Sequence, residues 1–77
     1  MNNKIENFKR SFAEILDMDL ESLNHKTKLD GSNLDSLNML STAALVSDLF
    51  QIEISLDEMC KCDTYNRLVN LIKSKAS

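Results

Sequence analysis

Apolar residues recur at three- and four-residue spacing in three separate blocks of this 77-residue chain, and proline is absent throughout. That period is one face of a helix, so each block must bury a stripe against a neighbour. Ile5, Phe8, Phe12, Ile15 and Leu16 form the first block, predicting a half-buried helix of about three turns with Lys4, Glu6, Lys9, Arg10 and Glu14 on its other faces. The second runs from Asp35 to about Phe50, where Met39, Ala43, Val46 and Phe50 make one stripe, flanked by Thr42 and Leu49. The third carries Tyr65, Leu68, Val69 and Ile72 at i, i+3, i+4 and i+7. Ser55-Leu56-Asp57-Glu58 is a capping-box pattern opening a fourth, short helix of about two turns before Asp63, and Asp63 or Thr64 caps the last one. The expected architecture is all-α: a small bundle of three longer helices and one short one, over a single domain spanning 1–77.

Between the first two helices, Asp17 to Leu34 holds no sustained period. Leu20, Leu23, Leu29 and Leu34 read as its anchors onto the core. An irregular segment of that length in so small a domain is uncommon, and such loops are often functional. Gly31, the one glycine, is expected to supply a positive φ where the chain turns.

Charge narrows the classes of function. With nine Lys and Arg against twelve Asp and Glu, the net charge of −3 argues against nucleic-acid binding, which needs a concentrated basic patch. No apolar run approaches the roughly 20 residues that cross a bilayer, and Met1-Asn2-Asn3-Lys4 leads into a polar amphipathic segment rather than a signal-peptide core. The expected compartment is the cytoplasm and the expected state a monomer. Cys60 and Cys62 read as buried or half-buried structural thiols; His25 lies too far off in a polar loop to complete a metal site, so none is expected.

The position that carries chemistry is Ser36. Asp35 is a good N-cap for the second helix, and Leu34 with Met39 has the spacing of a hydrophobic staple across that cap. From spacing alone, Ser36 reads either as helix-start chemistry or as an acceptor for chemistry done by another protein. A nucleophilic enzyme is disfavoured, because His25 is the only histidine and has no evident orienting partner.

Leu34-Asp35-Ser36-Leu37, followed by a helix ending Asp48-Leu49-Phe50 and then Ile52-Glu53-Ile54, resembles the acyl carrier protein family over nearly the whole chain. The resemblance implies a non-catalytic carrier with 4′-phosphopantetheine, derived from coenzyme A, on Ser36, its terminal thiol holding acyl groups as thioesters. It implies a phosphopantetheinyl transferase, a loading ligase and an acyltransferase or synthase as partners. Asp35 and Leu37 would help the modifying enzyme recognise the serine. A bound chain would retreat between helices, with Met39, Val46, Ile54, Met59 and Cys62 as candidate lining. Carriers of fatty-acid synthesis usually display several acids along the second helix; here Asn38, Ser41 and Ser47 occupy such positions, and Asp48 is the only charge between Ser36 and Gln51. The expectation is therefore a carrier of a specialised lipid, polyketide or surface-glycan pathway, docking through Leu37, Leu40, Ala44 and Asp48. Two alternatives stay open: an aminoacyl or peptidyl carrier, including a D-alanyl one, and an unmodified helical adaptor.

Overall fold

The computed structural model describes residues 2–76; Met1 and Ser77, the two ends of the expected domain, lie outside the described residues. Four helices appear in the expected order: α1 (Asn2–Ile15), α2 (Ser36–Phe50), α3 (Leu56–Cys60) and α4 (Tyr65–Ala76), with a single 3-10 turn at Leu20–Ser22. Among the described residues there is no strand, only one isolated antiparallel bridge between Lys28 and Thr64. The protein is an all-α four-helix bundle.

The core forms where the three apolar stripes meet. Phe8, Phe12 and Ala13 of α1, Val46 and Phe50 of α2, Met59 of α3, and Tyr65, Leu68, Val69 and Ile72 of α4 are all buried. Phe8 is its hub: its ring stacks on Phe12 at 5.2 Å and on Tyr65 at 6.4 Å, and meets Phe50 edge-on at 6.2 Å. Burial pushes the Tyr65 hydroxyl up to about 12, with Glu6 adding to the shift. α1 is longer than expected by nearly a turn at its start, because its first polar residues continue the helix ahead of Ile5. α3 is shorter than two turns: the capping box opens it, and its last backbone bonds close at Lys61 after five residues.

The long connection is irregular in period but not in bonding, which is how so small a domain tolerates it. Its backbone is stitched to the start of α4 by Leu29 N–H to Asp63 C=O at 2.9 Å, Tyr65 N–H to Thr27 C=O at 2.9 Å and Asn66 N–H to His25 C=O at 3.2 Å. Leu23, Leu29 and Leu34 anchor it as expected, whereas Leu20, on the 3-10 turn, is 37% exposed and stands outside the core cluster. Gly31 also departs from expectation, since no glycine has a positive φ. The turn is made instead by Asp30, whose carboxylate accepts from the Ser32 N–H at 2.8 Å and from the Ser32 hydroxyl, while its carbonyl accepts from Leu34 N–H at 2.7 Å. Left-handed backbone falls at Asp17 (φ 56) and at Gln51 (φ 54), which ends α2 as its C-cap.

Candidate functional site at the start of the second helix

Asp35 has extended backbone and its carboxylate accepts from Asn38 N–H at 2.8 Å, so α2 begins cleanly at Ser36. One turn on, the Asn38 side chain donates to the Asn33 carbonyl at 2.7 Å, and Thr42 donates back to the Asn38 carbonyl at 2.7 Å. The helix tip is thus fixed both to its own cap and to the incoming loop. Ser36 is exposed, and among the described residues its hydroxyl has no hydrogen-bond partner. With the Asn38 N–H taken by Asp35, the N–H groups of Ser36 and Leu37 are the first-turn donors still without a backbone acceptor. A phosphodiester on a serine at this point would meet those donors and the positive end of a 15-residue helix.

Beside Ser36 opens a groove of about 360 Å³ between the loop, α2 and α3, lined by Leu29, Leu34, Met39, Met59, Cys60 and Cys62 below and by Asp30, Gly31 and Asp35 at the rim. Its walls are largely apolar, so a flexible chain attached at Ser36 can lie along it while the phosphodiester stays at the helix tip with the free N–H groups. Two sulfur atoms meet across it, Cys60 Sγ lying 3.7 Å from Met39 Sδ. The residues at the tip and along the groove therefore fit a phosphopantetheine group.

The structure brings Ser36, Met39, Met59 and Cys62 together at this groove. It does not bring Val46 or Ile54 there: Val46 is enclosed in the core, and Ile54, though buried, borders a second groove with Ala43, Ala44, Ser47, Glu53, Ser55, Glu58 and Lys75. Leu37 and Leu40 are 71% and 56% exposed, and Ala44 and Asp48 are exposed on the same side of α2. Cys62 is buried, and burial pushes its thiol up. Cys60 is exposed rather than buried or half-buried, because it is the last residue of α3 and faces the open groove. Leu29 and Leu34 belong to the groove but were legible only as loop anchors, and Asp30 was not singled out, since nothing local to them signals α3 as the opposite wall. Among the described residues no group of three or more His, Cys, Asp or Glu side chains converges as a metal site.

An ion pair in the lining of the second groove, Lys75 Nζ to Glu58 Oε2 at 3.0 Å, ties α4 to α3. Glu58 also completes the capping box, accepting from Ser55 N–H at 3.0 Å while Ser55 Oγ accepts from Glu58 N–H at 3.1 Å. The Ser55 N–H bond first, and Lys75 second, hold the Glu58 carboxyl below its ordinary range.

A family model described as a phosphopantetheine attachment site matches residues 6–72. That match, on this fold, defines the class: a phosphopantetheine-bearing helical carrier domain. The acyl carrier protein of Buchnera aphidicola subsp. Schizaphis graminum (strain Sg) is 30% identical over 76 residues, 97% of this chain and 96% of the relative. No solved structure matches the chain. The chain belongs to the acyl carrier protein family; it is a non-catalytic carrier and its cofactor is 4′-phosphopantetheine.

Proposed function

We propose that Ser36 bears the phosphopantetheine arm and that the chain carries acyl groups, as thioesters on that arm, between enzymes of a specialised lipid, polyketide or surface-glycan pathway. The observation that carries this reading is the exposed, unpartnered Ser36 hydroxyl on the first residue of α2, at the mouth of an apolar groove. A phosphopantetheinyl transferase loads the arm, a ligase or transferase charges it, and a synthase or acyltransferase takes the cargo. Asp35 holds the helix tip in the shape the loading enzyme meets, and Met39, Met59 and Cys62 shelter the arm or the first carbons of its cargo. Val46 and Ile54 contribute to such a space only if the core opens to admit a longer chain. The pathway reading rests on α2 itself, whose single charged side chain is Asp48.

The unit proposed is one domain, working as a monomer in the cytoplasm; among the described residues no helix is long and apolar enough to cross a membrane. Incubation with coenzyme A and a phosphopantetheinyl transferase, followed by intact mass, tests the attachment. One phosphopantetheine is expected on the chain and none on Ser36→Ala of unchanged circular dichroism. No gain on natively folded protein, or a gain that survives Ser36→Ala, overturns it.

A further inference from the structure

The exposed side of α2 is a continuous stripe. Ser36, Leu37, Leu40, Ser41, Ala44, Ser47 and Asp48 are all exposed, and at 100° per residue they cover an arc of about 140° along the whole helix. Leu37 and Leu40, 71% and 56% exposed, form its apolar centre one turn apart, next to Ser36. In a chain of twelve acids, only Asp48 charges the stripe. The neighbouring acids lie off the stripe: Asp30 and Asp35 border the first groove, and Glu53 and Glu58 the second, where Glu58 is paired with Lys75 at 3.0 Å.

We infer that this stripe docks onto partner enzymes whose own docking surface is apolar and uncharged, with at most one cation facing Asp48, rather than onto a cluster of Lys and Arg. The inference rests on Ser36 as the attachment point. An enzyme that handles a group on Ser36 must come over the start of α2, and Leu37 and Leu40 lie within one helical turn of it. Two leucines exposed to this degree are the side chains on the stripe able to supply binding by burial. A basic surface laid against it would have its cations desolvated with one carboxylate to meet them, which is unfavourable for both affinity and selectivity. The stripe itself therefore steers encounter little by charge, and binding through it depends only weakly on salt.

Two enzymes serve as probes: a broad-specificity phosphopantetheinyl transferase, and a carrier malonyltransferase whose docking site is lined by lysine and arginine. With the transferase, Leu37→Ala and Leu40→Ala are each expected to lower kcat/KM about tenfold, with helicity retained since both side chains are exposed. With the malonyltransferase, the wild-type holo-protein is expected to be a poor substrate, its kcat/KM changing less than about twofold between about 50 and about 500 mM sodium chloride. Ser41→Glu/Ala44→Glu should raise that kcat/KM about tenfold at low salt and lose the gain at high salt. Asn3→Glu/Asn7→Glu, which adds equal charge on α1, should not. A wild-type rate falling tenfold or more with salt overturns the inference, and so does a Ser41→Glu/Ala44→Glu variant that behaves as the wild type or a control that matches it. A concentration-dependent dimer abolished by Leu40→Ala, seen by sedimentation, would assign the stripe to a second copy of the chain instead. Absence of any phosphopantetheine mass gain brings down the attachment reading and this inference together; a loaded protein with steep salt dependence brings down the inference alone.

Discussion

Replacing Asp35 with alanine separates the helix-cap account of the site from a purely electrostatic one. The substitution removes the carboxylate that accepts from Asn38 N–H at 2.8 Å and leaves that donor to water at an exposed helix tip. Loss of an N-cap of this type costs about 1 kcal/mol, and loss of a negative charge from the positive end of the helix about 0.5 kcal/mol more. Together these lower the melting temperature by about 6–12 °C, given the 4–8 °C per kcal/mol of a domain this size. Asp35→Asn keeps the accepting oxygen and loses only the charge, so it should fall by about 2–4 °C, and added salt should shrink that gap. The damage should be local. Gln51 still closes the far end of α2, so amide exchange should accelerate at Asn38 and Met39, whose N–H groups bond to Asp35, but not at Val46, which is enclosed in the core. Phosphopantetheine loading should slow in parallel, because the transferase then meets a frayed first turn. Thermal circular dichroism of the three proteins, with amide exchange by NMR, decides it. Asp35→Ala within about 2 °C of wild type would refute the capping argument; Asp35→Asn falling as far as alanine would show that charge, not the hydrogen bond, holds the tip.

Phe8→Ala removes a fully buried ring that touches Phe12, Phe50 and Tyr65; a loss of about 3–5 kcal/mol, read by urea unfolding, should leave the domain largely unfolded at 37 °C. Tyr65 titrates near 12 when folded against an ordinary 10, so its contribution to stability is complete below pH 10 and declines as pH rises toward 12; Tyr65→Phe should flatten that part of the stability profile. Glu58 shows the opposite sign: with its folded pKa below the ordinary 4.5, its contribution is present above that value and disappears as pH falls through the folded one. Glu58→Gln, which can still complete the capping box, should weaken the acid-side loss measured by urea midpoints in that window. Gly31→Ala should be neutral or stabilising by up to about 1 kcal/mol in the same assay, because a Cβ there meets nothing within 4 Å and the backbone φ is not positive.

Helix number and order, and the capped starts of α2 and α3, were legible because each is written in chemistry local to it. The α4 stripe Tyr65, Leu68, Val69 and Ile72 is buried at every position, and the Ser55–Glu58 box closes as its spacing predicts. What failed locally was the loop. Gly31 looked like the turn former because glycine is permissive, yet Asp30 builds the turn with hydrogen bonds that need no positive φ. Leu20 looked like Leu23, yet Leu23 is buried and Leu20, on the 3-10 turn, is exposed. At the candidate site, the helix start at Ser36 and its Asp35 cap could be read directly, whereas the groove depends on where α3 sits across from α2. That is a long-range fact: Met39 and Cys60 lie 21 positions apart in the chain and 3.7 Å apart in space.

The uncharged outer side of α2 shows how the structure divides a pattern that sequence alone leaves uniform. Read along the chain, Asn38, Ser41 and Ser47 are three equivalent places where an acid is missing. In the fold they are not equivalent. Asn38 is half-buried and donates its amide to the Asn33 carbonyl at 2.7 Å, pinning the loop to the helix tip. An ionised carboxylate has no proton to donate there and would set its charge against that carbonyl. The absence of an acid at Asn38 therefore has a structural cause and says nothing about partners. Ser41 and Ser47 are exposed, and among the described residues neither side chain makes a hydrogen bond or ion pair. Nothing in the packing forbids a glutamate at Ser41 or Ser47, so it is these two positions, with the bare Leu37 and Leu40 between Ser36 and Ser41, that bear on which surfaces the protein meets.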